Sequence, residues 1–118
     1  QGSRDARKRL RDYVALWAGV LKDGDRMCLC GMMAAESANL PRSIRNELRR
    51  FFDDNERWLV RILKEGRVSG RLRFSAPPEA EARLLTMGLE GAMLIARSQG
   101  QHGRFKEAAA RLLAQLGV

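Results

Sequence analysis

The chain has 118 residues, a length that fits one domain on the usual scale of roughly 100–200 residues. Apolar residues make up 45% of it, which excludes a fully disordered protein and allows a core without disulfide or metal staples. The 22 basic and 14 acidic residues give a net charge of +8, and 18 of the basic residues are arginine. That balance fits a basic helical module that binds nucleic acid through phosphates, or an arginine-rich solvated surface.

The longest uninterrupted apolar run, Met27–Ala35, is well short of the ~18 residues of a membrane span, so no membrane partner is expected. No charged stretch leads into an apolar segment and a small-residue cleavage site. Cys28 and Cys30 make no disulfide framework, and a reducing, cytoplasmic setting is the expectation. Gln1-Gly2-Ser3 reads as an expression remnant, leaving residues 4–118 as the domain.

The spacing of apolar residues predicts helices throughout. Leu10, Tyr13, Val14, Trp17 and Leu21 recur at three- and four-residue steps and share a face. Arg7, Lys8, Arg9 and Arg11 crowd the start of that segment, an unfavourable end for cations beside a helix dipole. Asp23-Gly24-Asp25 breaks it. A second helix is expected from about Arg26 to Asn39, apolar nearly all round and therefore buried on several sides, with Leu40-Pro41 ending it.

A long third helix is expected from Arg42 to about Ser69. Ile44, Leu48, Phe51, Phe52, Asn55, Leu59, Ile62 and Leu63 form its stripe. Gly66 weakens its last turn, and Gly70 suits the left-handed position beyond its end. Arg71–Ala76 is a short connection. Pro78 suits a first helical position, with Glu79 and Glu81 favourable in the first turn. That fourth helix runs to about Gln99 and places Leu84, Met87, Gly88, Gly91, Leu94 and Ile95 on one face. Gly100–Gly103 reads as a turn, and Phe105, Ala109, Leu112 and Leu116 form the stripe of a fifth helix. No segment alternates cleanly enough for a strand. The expected fold is all-α, one domain of five helices.

Catalytic chemistry finds little to stand on. Residues two apart on a helix point about 200° from each other, so Cys28 and Cys30 do not converge on one metal there. They read as two buried small hydrophobes, or as a pair of which one thiol lines a cavity and reacts with electrophiles. His102 is the only histidine and reads as a surface residue in a turn. Neither a metal site, a cofactor loop nor a nucleophile–base pair is evident, so a non-enzymatic domain is expected.

Asn55 is the one polar side chain in the stripe of the third helix. A buried amide needs a partner, so Asn55 either bridges the core or hydrogen-bonds a ligand. Glu36 poses the same choice on the second helix, with a salt bridge to an arginine as the plain alternative. Gly88, Gly91 and Ala92 leave a bare strip on the fourth helix. Close approach of another helix explains it, either within the chain or across a two-fold axis. Tyr13, Trp17, Met32, Met33, Phe52, Trp58 and Met87 make the interior rich in aromatics and methionine, which suits an adaptable pocket as well as a core.

Five runs occur in order: Cys28-Leu29-Cys30-Gly31-Met32-Met33-Ala34-Ala35-Glu36, Phe51-Phe52-Asp53-Asp54-Asn55-Glu56-Arg57-Trp58, Lys64-Glu65-Gly66-Arg67, Gly70-Arg71-Leu72-Arg73 and Leu89-Glu90-Gly91-Ala92-Met93-Leu94-Ile95-Ala96-Arg97. Together they resemble the carboxy-terminal regulatory domain of TetR/AcrR-type bacterial transcriptional repressors. The resemblance implies a regulatory domain that binds a small apolar or electrophilic effector and forms a homodimer. Its last two helices would make a four-helix bundle with a second copy. Trp17, Cys30, Met33, Phe52, Asn55 and Met87 are the candidate ligand residues. Gly88, Gly91, Ala92, Ile95, Phe105, Ala109, Leu112 and Leu116 are the candidate dimer interface. The helix-turn-helix head of such repressors is expected to precede this region, and DNA would be contacted only through it. An effector reacting with the Cys30 thiol is a further expectation.

Overall fold

The computed structural model describes residues 5–23 and 37–118. Among these residues there are four α-helices and no strand: α1 (Ala6–Asp23), α2 (Arg42–Ser69), α3 (Pro78–Gln99) and α4 (His102–Ala114). A single 3-10 turn, Ser37–Asn39, precedes α2. The expected second helix, with Cys28, Cys30, Met32, Met33 and Glu36, lies outside the described residues. None of the described helices is long and apolar enough to cross a membrane.

The basic start of α1 has a counterweight that charge alone does not reveal. Asp5 stands just before the helix, and its Oδ1 accepts a hydrogen bond from the Arg7 backbone N–H at 3.0 Å. It thus caps the first turn and places a negative charge at the dipole's positive end. Its other oxygen accepts from Arg71 at 3.2 Å, while Arg9 pairs with Glu65 of α2 at 3.0 Å.

Helix α2 matches its expected bounds and stops at Gly70, whose φ of 80° is the left-handed conformation that ends many helices. Gly66 does more than weaken the last turn. It is buried, and a Cβ built there would lie 2.4 Å from Leu72 Cδ1 and 2.8 Å from the Ala6 Cβ. The missing side chain is what lets α1 and the following connection close onto α2. The connection is also tied to the chain's end, because the Arg73 N–H donates to the Leu116 carbonyl at 2.9 Å.

Helix α3 begins at Pro78, with Glu79 and Glu81 in its first turn and Arg97 in its last, all on the favourable ends of the dipole. It ends at Gly100, which is left-handed at φ 65°. Only Gly100 and Gln101 separate it from α4, so α4 folds straight back along α3. The expected turn is therefore two residues shorter than Gly100–Gly103: His102 and Gly103 already belong to α4.

The core runs between all four helices. Leu10, Tyr13 and Trp17 of α1 meet Leu59, Ile62 and Leu63 of α2, then Leu85, Leu89 and Met93 of α3 and Phe105, Ala109 and Leu113 of α4. Two expectations change here. The buried face of α3 is Ala82, Leu85, Leu89, Met93 and Ala96, not the Leu84–Ile95 stripe. That stripe is largely outside, with Leu84 at 49%, Met87 at 65% and Ile95 at 58% exposure. In α4, Leu113 takes the core place expected of Leu112, which is half-buried on the flank.

Candidate functional site

Two cavities flank the middle of α2. The first, of about 490 Å³, lies between α1 and α2. Helix α1 contributes Arg9, Asp12, Tyr13 and Leu16, and α2 contributes Phe51, Asp54, Asn55 and Trp58. Both sets step by three, one and three residues, so each is a single stripe on its helix. The second cavity, of about 440 Å³, lies between α2 and α3. Its wall is Phe52 and Glu56 from α2 with Arg83, Thr86, Met87 and Glu90 from α3, again at helical spacing. Both volumes fall in the range of small-molecule sites.

A chain of hydrogen bonds joins the two walls. The Tyr13 hydroxyl donates to Asn55 Oδ1 at 2.6 Å, and Asn55 Nδ2 donates to the Thr86 hydroxyl at 3.0 Å. Asn55 therefore holds α1, α2 and α3 together through one amide. Of the two roles expected for it, bridging is satisfied in this structure, and its side chain also lines the first cavity. Burial pushes the Tyr13 phenol above its usual pKa, and the negative charge of Glu90 adds to that shift. Aromatic rings back the first cavity: Tyr13 and Trp58 pack tilted by 36° with centroids 5.3 Å apart, and the Arg9 guanidinium sits 6.0 Å over Trp58.

Among the described residues, two buried polar groups have no hydrogen-bond partner. One is the Trp17 indole N–H, in a side chain only 2% exposed. The other is the Glu90 carboxylate, both of whose oxygens are buried. Burial raises the Glu90 pKa to about 7. Native proteins leave few such groups, and each calls for a reason.

The sequence-predicted ligand residues are divided by the fold. Asn55 lines the first cavity, and Phe52 and Met87 line the second. Trp17 lines neither and packs in the core, edge-on to Tyr13 at 6.3 Å. Cys30 and Met33 lie outside the described residues. The polar residues Thr86 and Glu90 were missed. Their signal is present in the chain: each is a lone polar residue inside the apolar run Leu84–Ala96.

The candidate dimer residues divide as well. Phe105, Ala109 and Leu116 are 0%, 1% and 2% exposed within the single chain, so they have no surface left to offer a partner. Gly91 and Ile95 are exposed, and a Cβ at Gly91 would meet nothing within 4 Å. Gly88, Ala92 and Leu112 are half-buried. Gly88 serves the chain itself: Leu112 of α4 closes over it, and a Cβ there would lie 2.8 Å from Leu112 Cδ1.

The family model for the tetracyclin repressor-like C-terminal domain matches residues 6–114, nearly the whole chain. The chain belongs to this family. Tetracyclin repressor-like C-terminal domains are regulatory and not enzymatic. The domain is similar to the crystal structure of a TetR-family transcriptional regulator from Agrobacterium tumefaciens. The TM-score is 0.91 at 29% sequence identity, over 98% of this chain. The regulatory domain spans 61% of the length of that chain. No curated protein matches it.

Proposed function

We propose that this domain senses a small, largely apolar effector and dimerises, within a TetR-type transcriptional repressor. The observation that carries the reading is the cavity of about 490 Å³ formed by matching stripes of α1 and α2. Leu16, Phe51 and Trp58 supply apolar and aromatic wall, while Tyr13 and Asn55 supply hydrogen-bonding atoms. A ligand seated there competes for the Tyr13–Asn55–Thr86 chain that couples α1 to α2 and α3. A helix-turn-helix head outside this chain, joined to α1, would receive the resulting change in helix angle. Dimerisation is supported by the outer face of α3, where Leu84, Met87 and Ile95 are exposed around the bare Gly91.

The test uses N-phenyl-1-naphthylamine, a neutral apolar dye that brightens out of water. Saturable brightening at micromolar dye is expected, with energy transfer from tryptophan. Leu16→Asp weakens it about tenfold while leaving the fold intact, because Leu16 lines the cavity yet is 61% exposed. No saturable binding sinks the sensor reading. Light scattering at micromolar protein should give twice the chain mass; a clean monomer sinks the dimer reading.

A further inference from the structure

We propose that Glu90 is the recognition group for an effector that carries a protonated amine on an apolar, ring-sized body, seated between α2 and α3. This rests on the reading of the domain as an effector sensor and assigns a second site, distinct from the cavity between α1 and α2, with the chemistry of the ligand it takes.

The argument starts from charge. The domain carries +8, yet the wall of this cavity holds two carboxylates, Glu56 and Glu90, against one guanidinium, Arg83. Arg83 is already committed, since its Nε donates to Glu56 Oε2 at 3.1 Å. Among the described residues Glu90 has no counter-ion. Tyr13 of α1 lies within its electrostatic reach, Glu56 of α2 and Arg83 of α3 share the cavity wall, and among the described residues none donates to its oxygens. Of the three charged side chains in this cavity's wall, Glu90 is the one left without an ion pair among the described residues.

The second argument is burial. Both Glu90 oxygens are covered, and no hydrogen bond holds them where they are. The side chain itself forms part of the cavity wall. Turning the carboxylate into the cavity therefore breaks no hydrogen bond, and an ammonium there makes charge-assisted ones. The remaining wall suits an apolar body: the Phe52 ring and the flexible Met87 thioether, with the Thr86 hydroxyl beside them. A carboxyl whose pKa sits near 7 yields its proton readily to an aliphatic amine, whose own pKa lies about three units higher.

Three probes of one shape separate the possibilities: 1-naphthylmethylammonium, 1-naphthylmethanol and 1-naphthoate. Each is titrated by calorimetry at about pH 8, where Glu90 is largely ionised. The ammonium should bind at least about tenfold more tightly than the alcohol, and the carboxylate most weakly. Glu90→Gln should abolish that preference while the helical circular dichroism is retained. If the variant misfolds, the native domain decides by pH, because the first cavity also holds carboxylates: the preference should fade between about pH 8 and about pH 5 as Glu90 takes up its proton, and a preference that persists overturns the proposal. Equal binding of ammonium and alcohol overturns the proposal, as does a preference that survives in Glu90→Gln. If none of the three binds while N-phenyl-1-naphthylamine does, the amine proposal fails and the sensor reading stands. If the neutral dye also fails, both fall.

Discussion

Gly66 and Leu72 fit together only because one of them has no side chain. A Cβ on Gly66 would sit 2.4 Å from Leu72 Cδ1, and the Leu72 N–H also donates to the Gly66 carbonyl at 2.9 Å. Leu72 is 2% exposed, and Ala6 of α1 presses on the same spot. Gly66→Ala should therefore destabilise the domain by about 1–3 kcal/mol, despite alanine's better helix propensity. Thermal denaturation measures this; an unchanged or raised midpoint would falsify the close-packing account.

Gly91 offers the opposite case on the same kind of helix. Nothing lies within 4 Å of a Cβ there. In an isolated chain Gly91→Ala gains helix propensity of about 1 kcal/mol. If a second copy covers that face, the added methyl also intrudes on the contact. Comparing the melting midpoint at low and high protein concentration separates the two effects. The dimer reading expects stabilisation at low concentration and a weakened dimer at high concentration.

The Tyr13–Asn55–Thr86 chain predicts energetic coupling across three helices. Tyr13→Phe removes the donor to Asn55 Oδ1 and should cost about 1 kcal/mol. Thr86→Val removes the acceptor of the Asn55 amide with a similar cost. In an Asn55→Leu background both losses should shrink, and a double-mutant cycle reads the difference. Additive losses would show that the amide does not connect the two.

Glu90 makes stability depend on pH in a stated direction. Its pKa rises from 4.5 to about 7 on folding, so the folded state holds the proton more tightly. The resulting penalty is absent below about pH 4.5, grows between there and pH 7, and is fully present above it. Glu90→Gln should thus be more stable than the native domain at about pH 8, by about 1–2 kcal/mol once partial exposure is allowed for. At about pH 4 the two should be nearly equal in this respect. A variant advantage that does not change with pH would rule out titration of Glu90 as its source.

The helices were readable because their punctuation is strong. Pro41, Gly70, Pro78 and Gly100 bracket α2 and α3, and the bounds agree with them closely. The inward face of α3 was not readable by periodicity alone. Its sequence is apolar on two sides, so Leu84–Ile95 and Ala82–Ala96 are equally good stripes, and only packing against α1 and α4 chooses between them. The same ambiguity exchanged Leu112 and Leu113 in α4. Asn55 was legible as the exception in an apolar stripe. Thr86 and Glu90 were hidden among small and apolar neighbours, since a polar residue beside Gly91 passes for surface.

The two apolar sides of α3 share one rigid backbone. Glu90 looks inward to α1 and α2, while Leu84, Gly91 and Ile95 look outward. A displacement of α3 that makes room beside Glu90 must carry the outer side with it, like the two edges of one lever. Under the proposed sensing and dimer readings, occupancy of the interior and the angle offered to a neighbouring copy become a single mechanical variable, one motion of one helix.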